Sequence, residues 1–316
     1  MISALLMVVA LFLFSYVYMK IAPFLGIIDI PNSRSSHIEP TIRGGGIIFL
    51  VALTLFFITS SYLYPFFLTG ALLLGIVSFI DDIYPLNPIL RLFVQAFALV
   101  LMFYEVNIDS YNYLIIVLLF IFCLAFLNIY NFMDGINGMT GLNSMVILLP
   151  MIYINIFEVK FISLDLLLIC LYSLVIFGFY NFRVKAICFA GDVGSITMGF
   201  ILIFAILKLF LTTNEPHYFL FFLIYVLDGG MTILERLLRK ENILKPHRHH
   251  LYEILIDQKN FKHLNVSLVY AGLQFLLSSI IIISINTQSL WVIYLFVFLY
   301  FIIYAMAKMK NRRINE

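Results

Sequence analysis

GIIFLVALTLFFITSSYLYPFFLTGALLLGIVSFIDD, residues 46–82, decides how the chain is threaded. Read as a single helix, it is far longer than the roughly 20 residues that cross a bilayer. The stretch TSSYLYP, ending at Pro65, reads instead as a tight turn between two short spans. The rest of the chain tests that choice. Apolar blocks fall at about 2–20, 46–62, 65–80, 89–104, 113–130, 142–157, 164–181, 195–212, 218–235, 266–285 and 290–307, which makes about eleven transmembrane helices. With the N-terminus outside, seventeen of the nineteen Lys and Arg residues lie on the inner side, and Lys160 is the only basic residue on the outer loops. Lys208 lies late in the eighth span, where its stem can snorkel outward. Merging 46–82 into one span destroys this segregation.

The composition agrees. Hydrophobic residues make up 63% of the 316 and charged residues 11%, against about 25% charged in a soluble domain. A soluble enzyme, a disordered chain and a disulfide scaffold are excluded. Cys123, Cys170 and Cys188 form no CxxC pair. Residues 1–19 have no basic leader, and Lys20 and Pro23 follow where small residues favour cleavage, so the first span is expected to be retained. The longest polar stretch, about 237–265, is too short to bury a core of its own. The expectation is one all-α polytopic transmembrane domain over 1–316, N-outside and C-inside.

The remaining polar residues fall into five motifs, all on the inner side. Asp81 and Asp82 close the third span; adjacent carboxylates at the negative end of a helix call for a nearby cation or a shared proton, or else they are a solvated cap. Asn87 and Pro88 look like the start of the fourth span. Arg91 follows one turn in, either to hold a phosphate or to anchor the helix at the interface. In NIYNFMDGINGMTG, Asn128, Asn131 and Asp134 are spaced i, i+3, i+6 on one helix face and run into a glycine-rich turn. Such a stripe lines a site or bonds to neighbouring helices. FAGDVGS opens the eighth span, with Asp192 in a turn suited to phosphate and Mg²⁺, or with Asp192 and Ser195 as plain caps. KPHRHHLYE places His247, Arg248, His249 and His250 in the largest inner loop. These residues suit phosphate binding and proton handling, or contact with lipid head groups. Finally, SRSSHIEPTIRGGG offers Arg34, His37 and Arg43 before three glycines, as an anion nest or a basic juxtamembrane loop. Carboxylates, glycine-rich helix starts and Arg and His donors are the parts for phosphoryl transfer with Mg²⁺. No P-loop is present.

In order along the chain, PTIRGGG, the Asp81–Asp82 pair, NIYNFMDGINGMTG, GDVGS and PHRHHLYE resemble the polyprenyl-phosphate N-acetylhexosamine-1-phosphate transferases. The PNSRSSH–RGGG loop and the Arg248-interrupted histidine run are most similar to the short branch that initiates O-antigen or capsule synthesis. The resemblance implies transfer of sugar-1-phosphate from a UDP-N-acetylhexosamine to undecaprenyl phosphate, with release of UMP, at the cytoplasmic face of a bacterial inner membrane. It implies Asp81, Asp82 and Asp134 as catalytic residues, and Asp192 with Asp82 as ligands of Mg²⁺ or Mn²⁺. Arg43, Arg91, Asn128, Asn131, His247, Arg248, His249 and His250 are the expected substrate-binding residues, Asn131 and the three histidines also by the resemblance. Membrane lipids and a second copy of the chain are expected partners, and nucleic acid is not. Many relatives read DGxDG where this chain has Asn137, which departs from a nucleotide contact carried by an acid there. Asp228, before Gly229 and Gly230, marks a kink or a packing break. The competing reading is a transporter or flippase for an anionic lipid-linked sugar. That protein would carry its polar residues near the bilayer midplane, rather than at helix ends.

Overall fold

The computed structural model describes residues 2–31, 39–242, 248–259 and 261–312. The chain is all-α and polytopic. Its helices are α1 (Ile2–Phe24), α2 (Ile47–Thr59), α3 (Pro65–Ile83), α4 (Pro88–Val106), α5 (Tyr113–Phe132), α6 (Met139–Phe157), α7 (Leu164–Asn181), α8 (Gly191–Thr213), α9 (Leu223–Leu238), α10 (Leu251–Lys259), α11 (His263–Asn286) and α12 (Trp291–Arg312). Ten apolar segments among the described residues are long enough to cross a membrane, the one ending in α9 starting at the 3-10 stretch Pro216–Phe222. Each of the eleven expected spans falls on one of these or on α2.

The 46–82 stretch is two helices, as the basic residues required. The turn between them runs through Ser61, Tyr62 and Tyr64, which take positive φ of 56°, 67° and 61° without a glycine. Left-handed backbone at bulky residues costs energy and persists only where packing over-determines it. Tyr64 is held by stacking on Phe56 and by an edge contact to Phe204. The Nζ of Lys208 lies 5.8 Å from the Tyr64 ring centroid, so its stem does reach toward this turn. One expectation needs correcting: α2 has only 13 residues, about 20 Å of helix, and is shorter than the expected span 46–62.

α8 is the axle of the bundle. It is apolar on every side, and 89% of its spanning window is buried, as expected of a helix with no polar stripe. It packs against α3, α5, α2 and α6, while α1 and α12 lie at the periphery. Two features were not expected from the sequence. Strands β1 (Ile28–Asp29) and β2 (Thr41–Ile42) pair antiparallel, Ile28 with Ile42 and Asp29 with Thr41. The histidine-rich segment leads into the short helix α10.

Candidate active site

The up-and-down course of the helices brings the ends of α3, α5 and α7 and the starts of α2, α4, α6 and α8 to one end of the bundle. There the loop between α1 and α2 meets the entry to α8 as backbone against backbone. Ile42 pairs with Cys188. The amide of Phe189 donates to Ile42 (2.8 Å), Gly45 to Phe189 (2.8 Å) and Gly46 to Ala190 (3.0 Å). This closeness explains the glycines. A Cβ on Gly46 would lie 2.2 Å from the Cα of Gly194, and Gly191, at φ +72°, would press its Cβ to 2.5 Å from the Asp82 carboxylate.

Adjacent residues on a helix diverge by about 100°, so Asp81 and Asp82 face different neighbours. Asp82 turns to the start of α8. It accepts the amides of Asp192 (2.9 Å) and Val193 (3.1 Å) and the Nε of Arg43 (2.7 Å), and its side chain is fully buried. A carboxylate there satisfies free N–H groups at the positive end of the helix dipole. Asp81 turns to α4, accepting the Leu86 amide (2.6 Å) and the Nη1 of Arg91 (2.6 Å). Asn87 caps α4 through the Ile89 amide, as expected. Asp192 lies between the two arginines, 3.0 Å from Arg91 Nη2 and 3.8 Å from Arg43 Nη2, and is the most exposed of the three carboxylates. The hydroxyl of Tyr18 holds the Arg43 carbonyl. Three carboxylates and two guanidiniums therefore share one cluster.

The Asn128–Asn131–Asp134 stripe divides. Asn128 donates to Gln95 of α4 (2.8 Å) and so makes the interhelical bond that was the alternative reading. Asn131 donates to Ser195 (2.9 Å), one turn beyond Asp192. Asp134 accepts the Thr140 hydroxyl at 2.5 Å. Burial pushes the Asp134 carboxyl up to about 7, with the charge of Asp192 adding to the shift and the Thr140 bond opposing it. Asn137 donates to the carbonyls of Arg183 and Val184. An acid there would meet two acceptors, so in this chain the position stitches two turns together. Asn181, unremarked in the sequence, accepts the Gly138 amide and donates to Cys188.

His247 lies outside the described residues. Arg248 forms a two-bond pair with Asp257 of α10, both at 2.9 Å. His249 is 3.9 Å from Glu241. Burial holds its imidazole below the ordinary value, Glu241 acting the other way. His250 is buried and stacked on Tyr252. Tyr252 ties the segment to the Asp134 turn: its hydroxyl donates to the Phe132 carbonyl (3.0 Å) and fills the space beside Gly135. No spacing rule flagged Tyr252.

Magnesium is usually held by one or two carboxylates together with substrate phosphates, rather than by a protein cage. The carboxylate of Asp192, the most exposed of the three, suits that mode, whereas both oxygens of Asp81 are taken by the Leu86 amide and Arg91. Among the described residues no group of three acidic, His or Cys side chains forms a cage. The expectation that Asp82 shares the metal does not fit, because its oxygens are spent on α8 and Arg43 inside a fully buried side chain.

A family model described as Glycosyl transferase family 4 matches residues 64–210, just under half of the chain. No curated protein sequence matches the chain at a significant level. The matched stretch carries Asp81, Asp82, Arg91, Asn131, Asp134 and Asp192, most of the cluster just described. Over residues 64–210, the multi-pass bundle whose carboxylates converge at one end is similar to glycosyl transferase family 4, the membrane enzymes that transfer a sugar phosphate to a polyprenyl phosphate.

Proposed function

We propose that the chain transfers N-acetylhexosamine-1-phosphate from a UDP-sugar to undecaprenyl phosphate and releases UMP. It does so at the cytoplasmic face of a bacterial inner membrane, as the first step of O-antigen or capsule assembly. The observation that carries this reading is the cluster of Asp81, Asp82 and Asp192 with Arg43 and Arg91 at the end of the bundle. Two phosphate-bearing reactants repel each other, and partly exposed guanidiniums beside carboxylates are suited to hold them together. Asp192 would hold Mg²⁺ or Mn²⁺, which would supply charge neutralisation at the diphosphate.

An oxygen of the lipid phosphate attacks the phosphorus that bears the sugar. The bond from that phosphorus to the bridging oxygen breaks, and UMP leaves with the electron pair. Asp81 takes the proton of a monoprotonated lipid phosphate, with Arg91 orienting both partners. Asp82 fixes the start of α8 and the Arg43 side chain, so its role is positioning. Asn131 and the histidine segment contact nucleotide and diphosphate.

The test is UMP release by purified protein given undecaprenyl phosphate and a panel of UDP-N-acetyl sugars. Release that depends on both reactants is expected; absence of release with every sugar rejects the reading. Asp81→Asn keeps an acceptor for the Leu86 amide but removes the base. It is expected to slow turnover by about 10²- to 10⁴-fold. An undiminished rate would remove Asp81 from the chemistry. The basic residues also predict that a reporter fused after Glu316 reads cytoplasm. A reading from the opposite side rejects the orientation.

A further inference from the structure

Asp228 has no part in the mechanism above, yet its carboxylate is completely buried within an apolar helix. A charge there is costly unless it is fully partnered, and such residues seldom persist without a role. The helix α9 continues through Asp228, Gly229 and Gly230. The Asp228 oxygens accept the amide of Leu251 (3.0 Å) and the hydroxyls of Tyr270 (2.7 Å) and Tyr304 (3.1 Å). The Nδ1 of His250 is 3.9 Å away.

Leu251 is the first residue of α10. Two carboxylates therefore hold the start of that helix. Glu253 reaches back to the amide of His250 (3.1 Å), as the third residue of a capping box does. Asp228 takes the next amide from a different helix. The Asp228 clamp is itself supported from α12, where the Nζ of Lys308 donates to the hydroxyls of Tyr304 (2.9 Å) and Thr232 (2.7 Å). Beyond the clamp, Tyr252 meets the Asp134 turn.

We propose that Asp228 is a positioning residue, which pins the start of α10 and so sets Tyr252, with His250 stacked on it, against the Asp134 turn. Its effect on turnover rests on the transfer reaction proposed above; its effect on α10 does not.

Hydrogen exchange on the full-length protein reads the clamp directly. In Asp228→Asn, exchange of the Leu251 amide is expected to rise about 10- to 100-fold, the range for losing a charge-assisted bond. Amides in the middle of α9 and α11 keep their protection. Turnover is expected to fall about 10²-fold, as for a misplaced catalytic segment, with the fall in kcat and KM for the nucleotide sugar held. Tyr304→Phe removes one supporting hydroxyl and is expected to give a smaller rise at the same amide. It serves as the test if the Asn variant does not fold. Unchanged Leu251 exchange in whichever variants fold overturns the proposal, as does a rise shared equally by α9 and α11. A loss confined to KM also overturns it. If wild-type protein releases no UMP, the proposed reaction fails while the exchange result still decides the clamp.

Discussion

Asp192→Asn is expected to abolish sugar-phosphate transfer, beyond the ~10⁴-fold that one acid–base group accounts for. The protein should still fold and insert. Asp82 binds the backbone amide at position 192 rather than the side chain, so the start of α8 keeps its anchor. What changes is charge. Asp81, Asp82 and Asp192 face Arg43 and Arg91, which leaves the cluster one negative charge in excess. Asparagine removes that excess, and with it the attraction for a divalent cation beside the phosphates. Titrating Mg²⁺ against UMP release, alongside thermal unfolding, checks this. Normal turnover with unchanged Mg²⁺ dependence would reduce Asp192 to a helix cap.

Gly46→Ala is expected to be nearly as damaging by a different route. The φ of Gly46 is −71°, so alanine suits its backbone, and the conflict is purely steric. The new methyl would lie 2.2 Å from the Cα of Gly194 and 2.8 Å from the carbonyl oxygen of Ala190. Both are backbone atoms and no side chain can swing aside, so the first loop and α8 must separate. Overpacking costs about 1–3 kcal/mol where side chains can adjust; here the upper end or more is expected. Arg43 and Asp192 move apart with the backbone, so activity should fall along with melting temperature. Gly230→Ala and Gly272→Ala are the controls, since nothing lies within 4 Å of either added methyl. Each should be neutral or stabilise by about 0.5–1 kcal/mol, as for a helical glycine replaced by alanine. Equal damage from all three would mean that packing at Gly46 is not the cause.

The helices were legible because a lipid-facing chain has few alternatives: every apolar block must satisfy its backbone internally, and the basic residues arbitrated the one ambiguous block. The cluster was legible in part. Side and spacing brought Asp81, Asp82, Arg43, Arg91 and Asp192 into one reading. Yet two adjacent acids look equivalent in sequence, and only the neighbours of α3 make one a buried cap and leave the other facing Arg91. The same limit applies to Asn128, whose partner Gln95 lies on another helix. It applies also to Asp228, whose partners come from α10, α11 and α12. Periodicity reports which residues share a face; it is silent on what that face meets.

The shortness of α2 sets a depth. From the turn at 60–64, about 20 Å of α2 leads to Gly46. About 25 Å of α3 leads from Pro65 to Asp82. A hydrocarbon layer is about 30 Å thick. With that turn at the far boundary, the carboxylates lie several ångströms beneath the near one, and any tilt of the helices sinks them further. On the transfer reaction proposed above, a lipid phosphate would reach them with its tail still immersed, by a small downward step. In that same reaction the water-soluble donor would have to descend past the head groups to reach the floor of the site.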